Sequence, residues 1–195
     1  MERSSTDSEL VVAVLSGQRE RFAELADRYR LPLLRAAESR LKRRDLAEDV
    51  VQETFLCVYK SLHTYNSRYS FRTWLWTILL NQCRRRHKRE SRWPEVQAWS
   101  QASTSDDCPA PHAVASSVAT PAEQIMAREQ TAALQTLLDQ LPEVQADALR
   151  LRFFGDLKFH EIAEAMGCSL SSAKQRVRLG LTRMSALMNE SNHLI

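Results

Sequence analysis

Glycine and proline are scarce in this chain: it has four glycines and six prolines in 195 residues, where average usage gives roughly 14 and 10. So few turn residues argue against a sandwich, a barrel or a many-stranded sheet. Collagen-like and Gly/Pro-rich disordered chains are excluded for the same reason. The expected fold class is all-α. No apolar run reaches the roughly 18 residues needed to span a membrane, and the opening Met1-Glu2-Arg3-Ser4-Ser5-Thr6-Asp7 lacks the apolar core of a signal peptide. A cytoplasmic protein with no membrane insertion is expected. Cys57, Cys83, Cys108 and Cys168 stand far apart and make no CxxC pair. Cys83 and His87 share helical spacing, but no second ligand pair accompanies them, so reduced thiols are expected and zinc is not. A phosphate loop, a nucleophile elbow and an HExxH motif are all missing. Neither an enzyme nor a cofactor is expected.

The sequence does contain an uneven distribution of charge. Residues 1–90 hold 18 basic and 12 acidic side chains, residues 91–167 hold 5 and 11, and residues 168–195 hold 4 and 1. Two basic blocks around an acidic one fit two contacts with a polyanion such as nucleic acid, although three solvated helical surfaces would give the same arithmetic. Four prolines (Pro94, Pro109, Pro111 and Pro121) cluster in one stretch. That clustering predicts two small helical domains, 1–90 and 120–195, with a flexible linker over 91–119.

Helix signals fill both blocks. Thr6-Asp7-Ser8-Glu9 is a capping box opening a helix that Gly17 ends. A second helix carries Phe22, Leu25, Ala26 and Tyr29, and it is expected to resume from Leu33 to Arg43 after Pro32. Asp45-Leu46-Ala47-Glu48 reads as another capping box, before a stripe of Leu46, Val50, Val51, Phe55, Val58 and Leu62. Thr64–Ser70 reads as a loop, and the helix from Phe71 turns Trp74, Leu75, Ile78 and Leu79 inward before a basic run at Arg84–Arg89. The second block opens at Thr120-Pro121-Ala122-Glu123 with a helix to about Leu141. It continues with helices over Pro142–Phe154 and Phe159–Met166 and one from Ser171 onward.

Two features carry nucleic-acid chemistry. Over Glu161–Val177, two helices joined at Gly167 form a helix-turn-helix. Gly167 can take the positive φ of the turn, and Ile162, Met166, Ala173 and Val177 supply a shared core. Ser169 or Ser171 can cap the second helix. That helix offers Ser171, Ser172, Lys174, Gln175 and Arg178, and no acidic residue until Glu190. Lys and Arg suit guanine edges and phosphates, and Gln suits adenine; a purely packing hairpin is the plainer alternative. The other feature is the loop with Tyr65, Asn66, Arg68 and Tyr69, followed by a helix displaying Asn81, Gln82, Arg84, Arg85 and Lys88. Aromatic and amide groups beside cations suit unstacked single-stranded DNA. Core tryptophans and cations complementing a helix dipole would look similar.

Together the blocks resemble an extracytoplasmic-function (ECF) sigma factor of the sigma-70 family. The resemblance spans Asp7–Glu90 as region 2 and Thr120–Met188 as region 4. It rests on Asp45-Leu46-Ala47-Glu48-Asp49-Val50-Val51-Gln52-Glu53-Thr54-Phe55, on Phe71-Arg72-Thr73-Trp74-Leu75 with Asn81, and on Glu161-Ile162-Ala163. It implies a promoter-specificity subunit that binds the β′ clamp and β subunit of core RNA polymerase and promoter DNA. Asp49, Gln52 and Glu53 would then meet the clamp. Tyr65, Asn66, Arg68, Ile78, Asn81, Arg84, Arg85 and Lys88 would serve the −10 element, with Ile78, Asn81 and Arg84 at the family's pocket and backbone positions. Ser171, Ser172, Lys174, Gln175 and Arg178 would read the −35 element. The linker would cross the polymerase cleft toward the RNA exit channel, and control by an anti-sigma factor in trans is expected. The sequence departs from the family at Thr77, where many members carry Arg, and at Lys158, where a serine cap is usual. It departs again at Leu179-Gly180-Leu181, where an Arg-Ala-Arg pattern is common. A glycine inside a helix costs about 1 kcal/mol relative to alanine, so Gly180 is expected to bend or end the recognition helix. A free-standing helix-turn-helix regulator is the alternative function.

Overall fold

The computed structural model describes residues 5–92 and 133–192. Within them the fold is helical throughout: α1 (Asp7–Leu15), α2 (Phe22–Leu41), α3 (Arg44–Ser61), α4 (Phe71–Arg92), α5 (133–139), α6 (Glu143–Phe153), α7 (Phe159–Ala165) and α8 (Leu170–Asn192). Among the described residues, no helix is long and apolar enough to cross a membrane. The expected linker, with Cys108 and the Thr120-Pro121 helix start, lies outside the described residues.

α1 begins as its sequence dictates. The Glu9 amide donates to Thr6 Oγ1 (3.3 Å), and Glu9 Oε2 accepts from the Thr6 amide (2.7 Å), closing the box. Gly17 then turns the chain at φ +106°. Asp7 ties α1 to α2 by accepting from Arg28 and from the Tyr29 hydroxyl. Burial, with Asp7 second, pushes the Tyr29 phenol up to about 12.

Two helix starts differ from expectation. α2 runs unbroken through Pro32. Proline removes one amide donor and crowds the preceding turn, but the buried face formed by Leu25, Tyr29, Leu33, Ala36 and Ala37 holds the helix across it. α3 starts at Arg44, with no side-chain cap. Asp45 is drawn to the Arg43 guanidinium, which holds its carboxyl below the usual range, and Glu48 pairs with Arg44 Nε at 3.0 Å. Neither carboxylate is left to form the expected box.

α2, α3 and α4 make the N-terminal bundle, cored by Leu33, Val50, Val58, Leu75 and Leu79. The C-terminal unit packs α6 and α7 on α8, with Leu149, Leu151, Ile162 and Ala173 inside. The two units also pack on one another: α7 lies against α4, and α6 meets the end of α2 through Arg150, which donates to Ser39 Oγ at 3.0 Å.

Gly180 does not end α8, which continues to Asn192. It is buried, and a Cβ there would fall 2.9 Å from Leu149 Cδ1 and 3.2 Å from Leu149 Cγ. The missing side chain lets α8 approach α6 closely, and that packing sustains the helix through a poor helix former.

Candidate nucleic-acid interface

The helix-turn-helix is α7–turn–α8. Lys158 has no acceptor with which to cap α7, and Glu161 compensates by taking the Lys158 amide on Oε2 at 2.8 Å. Gly167 adopts φ +59°, as the turn requires, and the Cys168 amide reaches back to the Ala163 carbonyl at 2.9 Å. Of the two expected caps, Ser169 is used: its Oγ accepts from the Ser172 amide at 3.1 Å. α8 therefore starts at Leu170, one residue early. Ala173 and Val177 point into the core beside Ile162 and Ala163. The helical period then turns Ser171, Lys174, Gln175 and Arg178 outward along one exposed row. Ser172 is half-buried, its hydroxyl 2.9 Å from that of Ser169, so it belongs to the cap more than to the row.

The −10 candidates sit on a braced loop and a firmly seated helix. The Tyr65 ring packs at 5.8 Å from Phe71 and 5.3 Å from Trp74, and its hydroxyl donates to the Tyr69 carbonyl at 2.7 Å. Burial, then the charge of Asp7, raises its phenol. Tyr65 thus holds the loop's shape, and the exposed aromatic is Tyr69 at 51 %. Asn66 Oδ1 accepts from the Arg68 amide at 3.0 Å, fixing a tight turn that leaves both side chains exposed. Ser70 caps α4 by accepting the Thr73 amide at 3.1 Å. Phe71, Leu75, Trp76, Leu79, Leu80 and Cys83 anchor the helix, and burial pushes the Cys83 thiol up to about 12. Asn81, Arg84, Arg85 and Lys88 are exposed with half-buried Thr77 and Ile78 above them. Thr77 turns its hydroxyl onto the Thr73 carbonyl at 2.8 Å and presents no charge where many family members carry arginine.

On α3, Asp49, Gln52 and Glu53 are exposed opposite buried Val50, Val51, Thr54 and Val58. Asp49 is fixed by Arg86 of α4 at 3.0 Å. A residue not singled out from sequence lies beside them. Leu56, 58 % exposed, borders a groove of about 480 Å³ with Glu53, Cys57, Lys60, His63 and Gln82. The available signal was that Leu56 falls outside the Leu46–Leu62 stripe. No group of three or more His, Cys, Asp or Glu that could hold a metal occurs among the described residues.

Comparison with known proteins accounts for both units. Residues 25–92 match Sigma-70 region 2, and residues 131–184 match Sigma-70, region 4. An ECF RNA polymerase sigma-E factor of Haemophilus influenzae is 27 % identical over 177 residues, covering 91 % of this chain and 92 % of that protein. The ECF RNA polymerase sigma factor RpoE of Cereibacter sphaeroides is 30 % identical over 146 residues, 73 % of this chain and 72 % of its own length. Among solved structures, CnrH in complex with the cytosolic domain of CnrY superposes with a TM-score of 0.67 at 22 % identity, covering 93 % of this chain and 96 % of CnrH.

Proposed function

Because the chain belongs to the extracytoplasmic-function sigma factors of the sigma-70 family, binding core RNA polymerase and directing promoter-specific initiation, we propose that its exposed polar faces divide that work. Asp49, Gln52 and Glu53, with Leu56 as an apolar neighbour, meet the β′ clamp, and the C-terminal unit meets the β subunit. Asn66, Arg68, Asn81, Arg84, Arg85 and Lys88 engage the −10 element around a pocket walled by Ile78, while Tyr65 keeps the loop in shape. Ser171, Lys174, Gln175 and Arg178 read the −35 element, and Ser172 supports the cap. This division makes the chain a cytoplasmic initiation factor without catalytic chemistry of its own. Control by an anti-sigma factor fits with it, since the structurally similar CnrH was solved bound to a segment of another protein.

The observation that carries the reading is the exposed, acid-free row on a helix capped and seated for a major groove. Transcription from a matched promoter set with added core polymerase tests it. Gln175→Ala or Arg178→Ala should weaken −35 binding by about 1–3 kcal/mol if a base contact is lost, with −10 dependence unchanged. Normal −35 footprints in both variants would remove the assignment. A free-standing regulator would bind duplex promoter equally well without polymerase and would leave the α3 face without a role.

A further inference from the structure

The basic run that ends α4 does not all face one way. Arg84, Arg85 and Lys88 are exposed, whereas Arg86 is half-buried. Arg86 continues the row of Leu79 and Cys83, spaced i, i+4, i+7, and those two residues are buried in the bundle core. The row leads it to α3 and away from the solvent face of its neighbours. Its Nη2 donates to Asp49 Oδ2 at 3.0 Å, with the Arg86 side chain 21 % exposed and that of Asp49 56 %. Oδ1 of the same carboxylate accepts nothing from the described residues.

The other two polar residues on that face of α3 are not held in this way. Gln52 and Glu53 are exposed and make no hydrogen bond or ion pair within the described residues. A half-exposed ion pair adds little to stability, so the Asp49–Arg86 bond does more for the side chain than for the fold. A free aspartate on a helix surface moves among several rotamers, and a partner must arrest that motion on binding. Arg86 arrests it beforehand, because its covered stem and planar donor fork fix the carboxylate in one orientation. A carboxylate accepts at both oxygens, and Arg86 occupies one of them.

We infer that Arg86 is a positioning residue for core polymerase: it aims the Asp49 carboxylate so that Oδ1 meets a donor on the β′ clamp. The inference rests on the assignment of Asp49 to the clamp above. It takes Arg86 out of the DNA-facing set to which the basic run would assign it, since a promoter phosphate would have to compete with a carboxylate already bonded at 3.0 Å. The bond also joins the clamp face to the helix that carries Asn81 and Arg85, so docking through Asp49 helps to fix where α4 stands. Charge alone predicts the opposite effect on docking. A cation that merely neutralised Asp49 would weaken the pull of an acidic face on a partner's donors, and its removal would tighten the complex. Removal of a positioning residue loosens it.

A double-mutant cycle on the affinity of the full chain for core polymerase tests this. Arg86→Ala should weaken core binding about three- to tenfold, the cost of immobilising one side chain. The loss should come mainly from faster dissociation. In an Asp49→Ala background, Arg86→Ala should cost nothing further, because it acts through that carboxylate. Arg89→Ala removes the same charge from an exposed position of the same run and should leave core affinity at the wild-type value. With core at saturation, Arg86→Ala should give the wild-type −10 footprint and the wild-type salt dependence of promoter binding. Should Arg86→Ala lose helicity, Arg86→Met keeps the packed stem and is read the same way. The proposal is overturned if Arg86→Ala binds core as tightly as wild type or more tightly, or if its loss is undiminished in the Asp49→Ala background. It is also overturned if promoter binding at saturating core weakens with a shallower salt slope, which would make Arg86 a phosphate contact. If Asp49→Ala alone binds core normally, the clamp assignment of Asp49 fails and the role of Arg86 falls with it. If Asp49→Ala weakens binding and Arg86→Ala does not, the clamp assignment stands and the positioning role alone is refuted.

Discussion

In the N-terminal bundle, α2, α3 and α4 run for 20, 18 and 22 residues, and each keeps a solvent face opposite an apolar stripe. In the C-terminal unit, α6 and α7 are 11 and 7 residues long, and α6 is buried without a break from Gln145 to Leu151. A helix buried on all sides needs neighbours on all sides, and α6 has them: α8 packs on one flank, and the end of α2 lies against another. The bundle draws its central core from its own helices, while Arg40 and Trp76 at its edge are covered by the smaller unit. The smaller unit has less core to bury and completes its surroundings with charged groups from its neighbour. This difference teaches which unit depends on the other for its burial. The part that holds the recognition helix leans on charged groups of the bundle that carries the α3 and α4 faces.

Asp147→Ala should break this comparison most sharply. It leaves the Arg40 and Arg150 guanidinium groups, 5 % and 6 % exposed, without their shared carboxylate. Removing one partner of a buried ion pair costs about 3–5 kcal/mol. Hydrogen exchange should show α6–α8 losing protection while α2–α4 keep theirs. Equal loss in both units would mean that the bundle depends on the contact as much as the C-terminal unit does.

Gly180→Val sharpens the same comparison inside the smaller unit. α2 and α3 pack together and bury Ala37 and Ala47 fully, whereas α8 approaches α6 over a glycine with Leu149 directly opposite. A branched side chain there must displace Leu149, and overpacking of this kind costs about 1–3 kcal/mol. Thermal unfolding should show the loss in the C-terminal transition alone. A neutral result would mean that Leu149 has room to turn aside.

The two units were also legible in the sequence to different degrees. The helix-turn-helix could be read residue by residue, because Gly167, the serine cap and the Ile162–Val177 core are local signals and the exposed row follows from helical period. The α3 face could not: Asp49, Gln52 and Glu53 look like any solvated surface, and only the family resemblance singled them out. The role of Tyr65 was hidden because an aromatic in a polar loop reads as a stacking surface until Phe71 and Trp74 are seen to hold it. α6 was the least legible. Its alternating charges, Glu143, Asp147, Arg150 and Arg152, have the composition of an exposed helix, and the partners that bury two of them lie more than a hundred residues away. Gly180 looked like a helix breaker for the same reason, since nothing local announces the close approach of α6.

Acid should loosen the contact at which Ser70 Oγ, at the start of α4, donates to Glu161 Oε1 of α7 at 2.7 Å, with the smallest effect. Burial alone would raise the Glu161 carboxyl, but the Lys158 amide, the Ser70 hydroxyl, the charge of His160 and the Thr73 hydroxyl outweigh it and hold it below 4.5. A carboxyl depressed in the folded state stabilises that state above its unfolded value and loses the contribution as pH falls through the folded one. The Ser70–Glu161 bond should therefore be intact at neutral pH and weaken only below about pH 4.5. Glu161 is half-buried, so solvent screening still limits its contribution. Glu161→Gln keeps an acceptor oxygen but cannot titrate, so it should flatten this part of the acid profile in a pH series of hydrogen exchange at the start of α4. If wild type and Glu161→Gln lost protection there along the same acid curve, another group would be carrying the contact, and the two helix starts would be joined only by proximity.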